Sequence, residues 1–169
     1  MSSVSVYSDN DGSVSVSSDQ GDASVISTPS SFRENRFSLK RTGQRPYTFS
    51  GSEICTSTSH SVGPALWYEL NVYRSHEGQY IVEIKMFNKN GKFKDRNSVF
   101  EVSSIEELSS FLEHYDPAGD ISNNVSLEGD DMPLSLLALE GIALKIRIEE
   151  ARNQFKDLAG ELLYQLNSH

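Results

Sequence analysis

The side chains best suited to catalysis or metal binding are few and widely spaced in this sequence. The chain has one cysteine, Cys55, and its four histidines stand at positions 60, 76, 114 and 169. No HExxH segment occurs, and no histidine lies at metal-ligand spacing from another histidine or a carboxylate. A lone thiol without a local signature is more typical of a partly buried, inert cysteine than of a nucleophile. We therefore predict no metal site, no cofactor and no enzymatic activity.

One other segment begins like a ligand-binding motif and does not complete it. Asp9-Asn10-Asp11-Gly12 opens like a calcium loop, but the twelfth position is Gln20, where an EF-hand requires glutamate. Neither GxxxxGK[ST] nor GxGxxG occurs, so no phosphate-binding loop is visible. Adjacent carboxylates at 106–107, 130–131 and 149–150 suit helix starts and helix faces. The sequence thus argues against calcium and nucleotide binding.

The first 46 residues differ in composition from the rest of the chain. Residues 1–31 contain twelve serines, four aspartates and no basic residue, and residues 32–46 then carry a net charge of +4. A segment with so few large apolar side chains cannot offset the loss of backbone entropy on folding, about 1–2 kcal/mol per residue. We therefore predict a disordered, Ser/Asp-rich and then basic tail over residues 1–46, followed by a folded domain over residues 47–169. Deletion of residues 1–46 is then expected to leave the folding stability unchanged.

The predicted folded domain is acidic. The chain has a net charge of −9, and residues 47–169 alone carry −9. An acidic surface disfavours nucleic acid and anionic membranes as partners, except through the basic residues 32–46. No apolar run approaches the ~20 residues of a membrane span. With a single free thiol, these features predict a cytoplasmic protein, and the Ser-rich start leaves export by a specialised secretion system as the alternative.

Period-two alternation predicts a small antiparallel sheet. Residues 66–73, LWYELNVY, alternate between two faces, and residues 80–87, YIVEIKMF, repeat the pattern after a turn that contains Gly78. Residues 98–102, SVFEV, follow as a third strand. Residues 47–58 alternate weakly and are expected to add an edge strand or an ordered arm. The sheet is thus predicted to be a meander of three to four strands.

Two helical segments follow the predicted strands. Residues 104–115 combine a Ser–Glu capping box with helical spacing of apolar residues, and Asp116-Pro117 ends that helix. Residues 133–166 carry an apolar stripe with alternating spacings of three and four. The stripe consists of Leu134, Leu137, Gly141, Leu144, Ile148, Ala151, Phe155, Leu158, Leu162 and Gln165. The predicted fold class is α+β, in which one short helix and one long C-terminal helix, or a helical hairpin broken near Gly141, pack on the meander.

Three features of this domain suit contact with another protein. Trp67, Tyr73 and Phe87 make the second face of the sheet partly apolar, so that face needs a cover or a ligand. Residues 89–96 place lysines around an aromatic side chain, as a docking site for an acidic partner would. The C-terminal stripe suits a partner helix or a homodimer. The candidate interaction residues are Trp67, Tyr73, Phe87, Lys89, Lys92, Phe93, Lys94, Leu144, Ile148, Phe155, Leu158 and Leu162.

The sequence favours a non-enzymatic protein-interaction or adaptor module with its N-terminal tail as a docking or regulatory arm. One alternative is a substrate of a specialised secretion system, or the acidic chaperone of such a substrate. A further alternative is a small enzyme with a non-obvious site, for example around Cys55 and one histidine.

Overall fold

The computed structural model describes residues 35–89, 94–122 and 132–168. These residues form an antiparallel sheet followed by helices. The elements are β1 Arg36–Leu39, β2 Tyr47–Thr58, β3 Leu66–Ser75, β4 Tyr80–Asn88, β5 Arg96–Val102, α1 Ile105–His114, α2 Ala118–Ser122 and α3 Leu134–Asn167. The disorder predicted for the Ser/Asp-rich residues 1–31 lies outside the described residues.

The five strands form one meander, in which each strand pairs with the next one along the chain. β3 and β4 pair without a break, and the turn between them contains Gly78 at φ +90°, a conformation that other residues rarely adopt. Tyr68, Leu70 and Val72 of β3 all point to one face and are fully buried there. The α+β fold class and the antiparallel meander are therefore confirmed, although the sheet has five strands and not three or four.

The additional strand, β1, lies within the segment that composition assigned to the tail. It pairs with the first residues of β2, and Leu39 is buried while Phe37 is partly buried. Burial of Phe37 and Leu39 against the sheet stabilises β1 as a strand despite the positive charge of the neighbouring residues. Residues 36–39, which composition assigned to the tail, therefore belong to the sheet, and this contact argues against the expectation that deletion of residues 1–46 leaves the stability unchanged.

Gly51 is the point where β2 changes partners and the sheet curls. Residues of β2 before Gly51 pair with β1, and Gly51 and the residues after it pair with β3. A Cβ at Gly51 would lie 2.2 Å from the carbonyl oxygen of Arg74, so only glycine allows this approach. The β1–β2 hairpin folds across the second face and reaches β5, where the Thr42 amide donates to the Asn97 carbonyl at 2.8 Å.

The helices cover the other face of the sheet. The Ser104 hydroxyl accepts the amide hydrogen of Glu107, as the predicted capping box requires, and the Glu107 carboxylate accepts the amide hydrogen of Ser103, the residue before the N-cap. Leu108 and Leu112 of α1 are buried in the same core as the apolar side chains of β3 and β4. This short helix therefore packs as the sequence predicts.

The C-terminal segment is one continuous helix, α3, of 34 residues, and not a hairpin. Gly141 and Gly160 both lie within it, since a helical glycine costs only about 1 kcal/mol relative to alanine. The C-terminal half of α3 packs on β2 and β3, and it buries Ala151, Phe155 and Leu162. None of the described helices combines the length and the apolar character that a membrane crossing requires.

Candidate functional site

Cys55, the thiol first considered for chemistry, lies partly buried in β2, and His169 lies outside the described residues. Burial, together with the nearby charge of Glu53, raises the pKa of the Cys55 thiol to about 11. The thiol is therefore protonated at neutral pH, in contrast to the thiolate that a catalytic cysteine uses. Across residues 35–89, 94–122 and 132–168, no cluster of three or more His, Cys, Asp or Glu side chains could hold a metal ion.

The β1–β2 hairpin covers one end of the second sheet face. Tyr73 and Ile81 are buried there, and the rings of Phe37 and Phe49 pack around Tyr73 at centroid distances of 4.9 and 5.6 Å. Tyr73, a predicted interaction residue, therefore lies in an internal aromatic cluster. The partly apolar second face thus finds its cover at this end within the chain.

Next to this cluster, a polar ladder joins β3 and β4 on the same face. Asn71 Nδ2 donates to Glu83 Oε2 at 2.9 Å, and Lys85 Nζ lies 2.8 Å from Glu69 Oε1 and 3.4 Å from Glu83 Oε2. Burial opposes the charge on Lys85, but the hydrogen bond to Glu69 and the charge of Glu83 outweigh it and raise the lysine pKa. Because these groups satisfy one another, the ladder binds the two strands together.

The open end of this face carries an aromatic pair. The rings of Trp67 and Phe87 stack with centroids 5.1 Å apart, and Lys89 Nζ lies 5.6 Å from the Trp67 ring centre. The structure therefore brings together three of the predicted interaction residues. Lys94 is exposed, while Lys92 and Phe93 lie outside the described residues.

From Leu144 to Leu162, the predicted apolar stripe of α3 faces the protein's own sheet, whereas its first residues, Leu134 and Leu137, are exposed. Phe155, Leu158 and Leu162 are buried in the main core, and Leu144 and Ile148 are partly buried against it. The spacing of these residues predicted a contact surface, and the contact is intramolecular. Their availability to another molecule would require α3 to leave the sheet.

A second apolar stripe lies on the opposite side of α3. Leu139, Ile142 and Ile146 are 61%, 59% and 62% exposed. At 3.6 residues per turn they fall about half a turn away from Leu144 and Ile148. The sequence alone does not separate this stripe from the first one. The detectable signal was the spacing of three and four among these residues, out of phase with the longer stripe.

The first turns of α3 add to the exposed apolar surface. Leu134 is 86% exposed, and Leu136 and Leu137 are also well exposed. We call residues 134–148 the docking segment. Full burial of a Leu or Ile side chain gains about 1.5–3 kcal/mol, so covering what is still exposed of each stripe residue would gain about 1–2 kcal/mol. The docking segment is therefore the largest source of free energy for binding that the described residues leave unused.

Comparison with known proteins does not indicate a function for this site. The chain matches no protein-family model, no curated protein and no solved structure.

Proposed function

We propose that this protein is a non-enzymatic protein-interaction module that binds its partner through the docking segment. The observation that supports the proposal is the exposure of Leu139, Ile142 and Ile146 on the side of α3 that faces away from the sheet. An exposed apolar stripe at helical spacing is typical of a helix that pairs with a partner helix or lies in a groove.

The attachment of α3 to the domain suits this role. Ala151 is fully buried, and the next residue, Arg152, holds Asp116 beyond the end of α1 through contacts of 3.0 and 2.8 Å. The Arg152 hydrogen bonds lower the pKa of the Asp116 carboxyl to about 2, so this ion pair persists at neutral pH. The docking segment is thus the N-terminal extension of a helix whose other half is anchored, which limits the entropy that binding would cost.

The N-terminal Ser/Asp-rich residues complete the proposal as a docking or regulatory arm, and the cytoplasm is the proposed compartment. The aromatic pair Trp67–Phe87 with Lys89 is a second, smaller surface that an acidic partner segment would fit. The docking segment remains the principal surface because it exposes more apolar side chains.

Site-specific photo-crosslinking tests the proposal in cells that produce the full chain. A photoreactive amino acid at Ile142 is expected to yield a discrete crosslinked protein species. The matched control carries the same amino acid at Glu106, which is exposed on α1 away from the docking segment. Absence of any crosslinked protein at position 142, or equal crosslinking at position 106, would contradict the proposal.

A further inference from the structure

We infer that the exposed stripe of α3 pairs with the same stripe of a second copy, as a short parallel two-stranded coiled coil. This inference rests on the proposed function, and it specifies the partner. It differs from a dimer built on the Phe155–Leu162 stripe, because those residues already pack on the protein's own sheet.

The spacing of the exposed residues places them at coiled-coil positions. With Leu139 and Ile146 at position a and Ile142 at position d, the stripe has three apolar layers. The next d position is Glu149, which is exposed and lies 2.9 Å from Arg152. The apolar pairing therefore ends at Glu149, and the predicted contact is confined to the N-terminal half of α3.

The charges beside the stripe indicate the parallel orientation. In the same heptad, Lys145 takes position g and Glu150 the following e position, and both side chains are exposed. In a parallel pair, each Lys145 would lie beside Glu150 of the other copy, which gives two opposite-charge contacts by symmetry. In an antiparallel pair that keeps Ile142 opposite Ile146, the two Lys145 side chains would face each other. Charge complementarity therefore favours parallel copies.

The position of the domain leaves room for this arrangement. The sheet and α1 pack on the side of α3 that carries Phe155 and Leu162, while the second stripe lies on the other side. Two copies would therefore hold their sheets on the outer sides of the helix pair. The gain from three apolar layers must exceed the cost of association, and with so few layers the surplus is small, so we expect a weak dimer with a dissociation constant in the range of about 10–100 µM.

Sedimentation velocity of the full chain from about 1 to 500 µM, bracketing that range, tests the inference. We expect a reversible monomer–dimer equilibrium, and Ile142→Glu is expected to weaken it at least about hundredfold, since it buries two carboxylates. Lys145→Glu is expected to weaken it roughly three- to tenfold, and Lys145→Glu with Glu150→Lys to restore it within about twofold. Lys94→Glu makes the same charge change on another surface and should leave the equilibrium unchanged. Circular dichroism confirms that each variant is folded.

Three results would overturn the inference. The first is a monomer at every concentration, and the second is a trimer or tetramer, which isoleucine at position d favours in long coiled coils. The third is a dimer that Ile142→Glu disrupts but the charge exchange does not restore, since that dimer is not the parallel one. The proposed function is judged separately, by the mass of the species crosslinked at position 142. A crosslink to a different protein would keep the proposed function and reject self-pairing, whereas no crosslink would reject both.

Discussion

Two tyrosines on the helical side of the sheet differ in how their hydroxyl groups are satisfied. The Tyr115 hydroxyl donates to Asp120 Oδ2 at 2.7 Å, and Arg96 lies 3.1 Å from the other carboxylate oxygen. The Tyr68 hydroxyl is buried and has no hydrogen-bond partner among the described residues. Both rings contact Phe155. At the residue scale, the same side chain therefore stabilises the core at one position and carries an unmet polar group at the other.

Replacement of each tyrosine by phenylalanine is expected to give opposite results. Tyr68→Phe removes an unsatisfied buried hydroxyl and should leave the free energy of unfolding unchanged or raise it by about 1 kcal/mol. Tyr115→Phe removes a hydrogen bond to a carboxylate and should lower it by about 1.5–3 kcal/mol. Urea denaturation of the two variants and the wild type measures both effects. A loss for Tyr68→Phe as large as that for Tyr115→Phe would show that the Tyr68 hydroxyl has a partner.

At the scale of elements, α3 performs two tasks with two faces. Its C-terminal half holds the sheet through Phe155 and Leu162, and its N-terminal half exposes Leu139, Ile142 and Ile146. The helix continues across Gly141, where a Cβ would meet no atom within 4 Å. Gly51 of β2 has the opposite surroundings, because the backbone of Arg74 occupies the space for a Cβ. Glycine is therefore dispensable in α3 and required in β2.

Alanine at these two glycines is expected to change stability in opposite directions. Gly141→Ala should raise the free energy of unfolding by up to about 1 kcal/mol through helix propensity. Gly51→Ala should lower it by about 3 kcal/mol, because the close backbone approach must be relieved. Thermal and urea denaturation compare the two variants. Tolerance of alanine at position 51 would mean that the curl of the sheet does not depend on the contact with Arg74.

At the scale of the whole molecule, the β1–β2 hairpin covers one end of the second face and links the start of the domain to β5. Leu39 is buried against Tyr73 and Ile81, and the Asn97 amide donates to the Thr42 hydroxyl at 2.8 Å. These contacts join residues that are far apart along the chain. The domain therefore begins before residue 47, where composition had placed its boundary.

Two truncations locate this boundary. Deletion of residues 1–34 is expected to leave the midpoint of unfolding unchanged, because their composition supplies little apolar surface. Deletion of residues 1–46 removes β1 and should lower the free energy of unfolding by about 3 kcal/mol, since Phe37 and Leu39 lose their contacts. Equal stability of the two truncated chains would show that β1 contributes nothing to the fold.

Local sequence patterns were sufficient to predict the elements whose partners are adjacent in sequence. Alternation in β3 and β4 and the Ser104–Glu107 capping box predicted the meander and α1, because period and capping act over a few residues. For the candidate site, the aromatic surface of Trp67 and Phe87 was predicted for the same reason. The composition also excluded a Cys-rich zinc site and an intramolecular disulfide, since the chain has only Cys55.

Tertiary structure alone decided which surfaces remain exposed. The charges around Phe37 and Leu39 obscured β1, because its stability comes from a sheet face that the nearby sequence does not encode. The two stripes of α3 are both apolar, and local spacing does not reveal which one meets the sheet. Packing settles this, because Phe155 and Leu162 on the first stripe fill the core beside β3, whereas Ile142 on the second stripe is left in solvent.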